Sequence, residues 1–105
     1  MLLSGKKLGI LLANAPASQS FRHGVRLAEA ALAAGAKVYV YCIDDAVAGV
    51  DDPFLQTLRG RGLNLYGCAY AARRRNLPIT DQAAFAGLSV VSDLIAATDR
   101  FLAFS

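Results

Sequence analysis

The residues best suited to chemistry lie in the segment LYGCAYAARRRN, residues 65–76, which places Cys68 ahead of Arg73, Arg74 and Arg75. A cysteine thiolate is a nucleophile, and it is the form of the side chain that accepts or donates sulfur. The apolar residues 63–67 predict a short strand, and residues 69–75 predict a short helix that residues 76–78 terminate. Cys68 would then stand at a helix N-terminus, where the partial positive charge favours the thiolate. The arginines, one to two turns further on, either add to this effect or point elsewhere.

The alternative interpretation is that Cys68 is a small apolar side chain packed under the loop, because free cysteine is among the most buried residue types. Position alone leaves the two interpretations open. The other cysteine, Cys42, ends an apolar run and is interpreted as structural. The two cysteines form no CxxC pair and the chain has one histidine, so we expect free thiols and neither a disulfide nor a zinc site.

A second group of polar residues follows the first predicted strand. Asn14, Ser18 and Ser20 could bind a small anion or a nucleotide through their side chains and through free N–H groups of the next helix. His23 and the arginines are further candidate contacts. The loop has neither a GxGxxG nor a Walker pattern, so the signal is weak.

A phospho-receiver site is not predicted. It would need acidic side chains from several strand ends, and only Asp44 and Asp45, after the second strand, supply them.

The elements that position these residues alternate between strand and helix. Near-continuous apolar or β-branched runs predict buried strands over residues 7–13, 37–43, 63–67, 88–90 and 100–104. Helical spacing predicts helices from Phe21 to a stop at Gly35, from Asp51-Asp52-Pro53 to Gly60 or Gly62, over 69–75 and over 92–98. Ser18 or Ser20 would cap the first.

This alternation predicts a three-layer α/β/α fold with a mainly parallel five-stranded sheet of the flavodoxin-like type. Sites in such sheets form at the carboxyl ends of the strands, and Cys68 falls at that edge.

Composition bounds the remaining possibilities. The chain has 105 residues, 55% of them hydrophobic and 18% charged, which suits one globular domain over 1–105. No run is long and apolar enough for a membrane span, and no signal peptide is evident, so we expect a cytoplasmic protein. The net charge is only +3, and two small basic clusters without an aromatic RNA-binding pattern argue against nucleic acid.

Four segments together resemble the DsrE/DsrF/TusD-like family of small sulfur-relay proteins. They cover most of the chain in the family's order: KLGILLANAP, RLAEAALAAGAKVYVYCIDDAV, RGRGLNLYGCAYAARRRNL and GLSVVSDLIAATDRFLAFS. The order and spacing of all four carry the resemblance, rather than any single motif.

The resemblance implies a DsrE-like fold in a homo-oligomer, a trimer or a hexamer, with no organic cofactor and no metal. It implies that Cys68 carries a persulfide received from a sulfur donor and passed to a TusA-like carrier protein, as a sulfurtransferase-type carrier if the chain is active. Two alternatives remain. One is a non-catalytic oligomeric module that binds an anion or a nucleotide. The other is a rhodanese-like enzyme, which fits less well because CAYAARRR enters a helix at once.

Overall fold

The computed structural model describes residues 2–105, and a five-stranded sheet forms its centre. The strands lie in the order β4-β3-β2-β1-β5, and every neighbouring pair is parallel. Their bounds are Lys7–Leu12 for β1, Lys37–Cys42 for β2, Asn64–Cys68 for β3, Ala84–Ala86 for β4 and Arg100–Phe104 for β5. The predicted α/β fold with a parallel five-stranded sheet is therefore confirmed.

Helices connect the strands and cover both faces of the sheet. They are α1 (Gln19–Ala33), α2 (Pro53–Gly60), α3 (Ala69–Arg74) and α4 (Ser89–Ala97), with a 3₁₀ helix (Asp44–Gly49) between β2 and α2. Because the chain moves outward from β1 to β4 and then returns to β5, right-handed crossovers put α1, α2 and α3 on one face and α4 on the other. No helix among residues 2–105 has the length and apolarity that crossing a membrane requires.

The helix ends follow the predicted signals. Ser18 is the N-cap of α1, where its hydroxyl accepts a hydrogen bond from the Phe21 N–H, and Gly35 has a φ of 98° just beyond the end of this helix. Asp52 caps α2 in the same way, with Pro53 in the first turn.

Most of the fully buried side chains lie between α1, α2 and the central strands. Alternate residues of β1 and β2 point to this face and are fully buried, including Ile10, Leu12, Val40 and Cys42. Leu55 and Leu58 of α2 are equally buried. On the opposite face, α4 packs over β1 and β5 and buries only Leu94.

The prediction of a strand over Leu88–Val90 is wrong. The fourth strand is Ala84–Ala86, and α4 begins at Ser89 rather than Ser92. β4 is a three-residue edge strand without a β-branched residue, so its sequence carries little strand signal. Val90, which was predicted to be a strand residue, lies partly buried in the first turn of α4.

Candidate functional site

Cys68 is the last residue of β3 and the N-cap of α3. The apolar strand carries it to the carboxyl edge of the sheet, and the alanine-rich stretch that follows turns at once into a helix. Its Sγ accepts a hydrogen bond from the Ala71 N–H at 3.4 Å, so the sulfur takes the position that a serine or aspartate oxygen commonly takes at a helix start. The predicted placement between a strand and a helix is therefore confirmed.

The same cysteine is buried. Only 2% of Cys68 is exposed, and the first turn of α3 lies over the sulfur. On its other side, the preceding Gly67 allows β4 to come close, because a Cβ there would lie 2.8 Å from the Phe85 ring. A second protein can reach this thiol only after a local opening.

A buried polar side chain near Cys68 that the sequence did not single out is Tyr41 of β2. It is fully buried, and its ring stacks on Tyr66 with the centroids 6.5 Å apart. Its hydroxyl donates to the carbonyl oxygen of Ala86, the residue of β4 that is paired with Cys68. Burial and then hydrogen bonding to the Cys68 side chain raise the pKa of Tyr41 above its ordinary value. Because a buried tyrosine needs a hydrogen-bond partner for its hydroxyl, the tyrosine within the apolar run KVYVYC is the sequence feature that could have pointed to this contact.

The three arginines are not gathered around the cysteine. Arg75 pairs with Asp45 at 2.9 Å and donates to the Ala71 carbonyl, which ties α3 to the 3₁₀ helix. Arg74 donates to the Tyr70 hydroxyl at 3.2 Å and lies over that ring. Arg73 is exposed. Within residues 2–105, no hydrogen bond joins any of the three to Cys68.

The polar loop after β1 forms a separate group. Asn14 donates to the Ser20 hydroxyl at 3.0 Å, while the Ser18 hydroxyl donates to the Ala15 carbonyl and lies 3.3 Å from Ser20. His23 is exposed on α1. Since β2 lies between β1 and β3, this group is about 10 Å from the end of β3. The polar side chains that the anion hypothesis invoked are thus engaged mainly with each other.

Comparison with known proteins agrees with this architecture. A sequence model of the DsrE/DsrF-like family matches residues 6–104, almost the whole chain. The chain belongs to the DsrE/DsrF-like family. The family points in general to sulfur relay.

Among solved structures, the crystal structure of the ychN protein from E. coli superposes with a TM-score of 0.84 at 21% identity, covering 94% of this chain and 99% of that one. At this identity, the likeness concerns the fold. No curated protein matches the chain.

A groove of this DsrE/DsrF-like chain lies away from Cys68. It has a volume of about 450 Å³ and separates the start of α1 from the start of α2. Its lining includes Phe21, Arg22, Arg26 and Phe54, and none of the predicted site residues.

Cys42 lies fully buried on the α1 side of the sheet, and burial raises the pKa of its thiol to about 12. Among residues 2–105, no three side chains of the metal-binding types cluster.

Proposed function

We propose that the protein is a cytoplasmic sulfur carrier that holds a persulfide on Cys68, between a sulfur donor and an acceptor protein of the TusA-like kind. The observation that carries the proposal is the position of Cys68 in a DsrE/DsrF-like chain, at the carboxyl end of β3 and at the start of α3. The other free thiol, Cys42, is held as a neutral thiol by burial at physiological pH.

The chemistry is an exchange between thiolates. The Cys68 thiolate attacks the outer sulfur of a donor persulfide, so the donor's S–S bond breaks as a new S–S bond forms on Cys68. The electron pair of the broken bond leaves with the donor thiolate. An acceptor thiolate later attacks the outer sulfur on Cys68 and releases the Cys68 thiolate. Neither step consumes an oxidant or a reductant.

The partner in the oligomer would be a second copy of this chain. The support for this is that α4 covers its face of the sheet incompletely. On this face Tyr39 and Tyr66 remain partly exposed, and Ile95 of α4 is 55% exposed. Apolar surface of this kind is typical of association sites. Sedimentation equilibrium is expected to give the mass of three or six chains, and the mass of one chain would contradict the oligomer.

The test of the carrier function is intact-mass spectrometry after incubation with glutathione persulfide. We expect the wild type to gain one sulfur atom, Cys42→Ser to gain it as well, and Cys68→Ser to gain none. Serine is the sharper replacement at 68 because its hydroxyl can accept the Ala71 N–H in place of Sγ, so that the start of α3 is kept. A gain that persists in Cys68→Ser, or that never occurs in the wild type, would refute the assignment.

A further inference from the structure

The position of the Tyr41 hydroxyl relative to Cys68 is a feature that the carrier function described above does not use. Its side chain starts on β2 and its oxygen reaches β4, 2.9 Å from the Ala86 carbonyl oxygen. Cys68 lies on β3 between these strands and is paired with Ala86. Register puts Tyr41 and Cys68 on the same face of the sheet, so the buried tyrosine side chain passes over β3 beside Cys68 to reach β4.

The hydroxyl has one hydrogen and two lone pairs, so its role changes with the ionisation state of the cysteine. Beside a neutral thiol, its hydrogen goes to the Ala86 carbonyl, as observed, and a lone pair can accept the weak S–H donor. Beside a thiolate, the same hydrogen can turn from Ala86 to the sulfur. A hydrogen bond to an anion is stronger than one between neutral groups, so the exchange favours the ionised cysteine.

From this geometry we propose that Tyr41 is a positioning residue for Cys68, and that its hydroxyl donates its hydrogen to the thiolate and to the persulfide anion in turn. This inference rests on the carrier function proposed above. Because burial keeps the tyrosine protonated, the hydrogen is available throughout the physiological pH range.

The charged side chains on the elements around Cys68 are engaged with other partners or exposed, so they do not serve as hydrogen-bond donors to its sulfur. On α3 and the 3₁₀ helix, Arg75 and Asp45 pair with each other, Arg74 is bound to Tyr70, and Asp44 is exposed. β4 carries no titratable side chain. Besides burial, only Cys68 acts on the ionisation of Tyr41.

The test is an NMR titration of protein with isotope-labelled cysteine, which follows the Cβ shift of Cys68 and does not require the thiol to be accessible. Cys42, with its pKa of about 12, serves as an internal signal that stays constant near neutrality. We expect Tyr41→Phe to raise the midpoint of the Cys68 transition by about one pH unit, which is about a tenfold change in the ratio of thiolate to thiol at a given pH. Tyr66→Phe, the stacked neighbour, is the matched control and should leave the midpoint unchanged.

Thermal stability does not discriminate here, because Tyr41→Phe loses the bond to Ala86 under any role. An unchanged midpoint in Tyr41→Phe, or an equal rise in Tyr66→Phe, would overturn the inference. The wild type provides a check that needs no variant: the signal of the Tyr41 ring carbon bonded to oxygen should shift at the pH where Cys68 titrates, and its failure to shift would also overturn the inference. If the midpoint rises as expected but the wild type never takes up sulfur, the carrier function fails while the contact between Tyr41 and Cys68 stands.

Discussion

The two cysteines of this chain are almost equally buried and yet occupy different chemical surroundings. Cys42 ends β2 and Cys68 ends β3, and the register pairs Cys42 with Gly67, the residue before Cys68. Because side chains alternate along a strand, this offset of one residue sends the two sulfurs to opposite faces of the sheet. Cys42 lies among apolar side chains of the core, whereas the Cys68 sulfur accepts a hydrogen bond from the Ala71 N–H and lies near Tyr41, whose hydroxyl bonds to the strand partner of Cys68, Ala86.

The difference shows that burial alone does not decide whether a cysteine can react. Without polar partners, desolvation penalises the thiolate and the side chain behaves as a small apolar group. A buried sulfur with donors around it can exchange water for protein hydrogen bonds when it ionises. The variants below are chosen to break or to sharpen this contrast.

The largest expected effect is a difference in alkylation between the two thiols. With its pKa at about 12, Cys42 is ionised in roughly one molecule in 10⁵ at neutral pH. We expect iodoacetamide to modify Cys68 of the native protein on the order of 100-fold faster than Cys42. Peptide mass spectrometry after timed quenching measures both sites in one sample.

Denaturant supplies the control for this experiment. In the unfolded chain the surroundings of the two thiols become similar, so the rates should converge. Equal rates in the native protein would show that the polar contacts of Cys68 have no influence on its reactivity.

The next effect concerns stability at alkaline pH. The folded chain raises the Cys42 pKa from 9.0 to about 12, so the folded state keeps a proton that the unfolded state loses. This stabilisation is complete at pH values below 9.0, the ordinary pKa, and is lost progressively as the pH rises towards the folded-state pKa of about 12. Between these two pH values, the free energy of unfolding should fall less steeply with pH in Cys42→Ala than in the wild type. The two slopes should differ by at most about 1.4 kcal/mol per pH unit.

Urea unfolding at several pH values across this window measures the slope. Val40→Ala is the matched control, since it makes a cavity on the same face of β2 and removes no titratable group. It should lower stability at every pH without changing the slope. A slope in Cys42→Ala equal to that of the wild type would contradict the effect of burial on this thiol.

The contrast also explains which parts of the molecule the sequence predicts. Strong patterns, such as KVYVYC and the caps at Ser18 and Asp52, predict elements because local chemistry and burial agree. β4 escapes prediction because Ala84–Ala86 is a strand only through its pairing with β3. The position of Cys68 follows from local pattern, whereas its contact with Tyr41 depends on register between strands that are distant in sequence. The sequence left the role of the arginines open for the same reason, because the pairing of Arg75 with Asp45 is a tertiary contact.

The smallest effect tests the cover over Cys68 without touching its polar partners. Arg75 holds α3 to the 3₁₀ helix through Asp45, and both side chains are partly exposed, at 34% and 68%. Pairs of this kind contribute about 0.2–1 kcal/mol, so Asp45→Asn should speed alkylation of Cys68 by no more than about fivefold and leave Cys42 unchanged. Asp44→Asn is the matched control, because it removes the same charge from the neighbouring exposed residue, which forms no ion pair within residues 2–105. The acceleration by Asp45→Asn should disappear at high salt, where the wild-type pair is itself screened. An equal acceleration by both variants would assign the effect to net charge, and α3 would then not be the element that opens to expose the thiol.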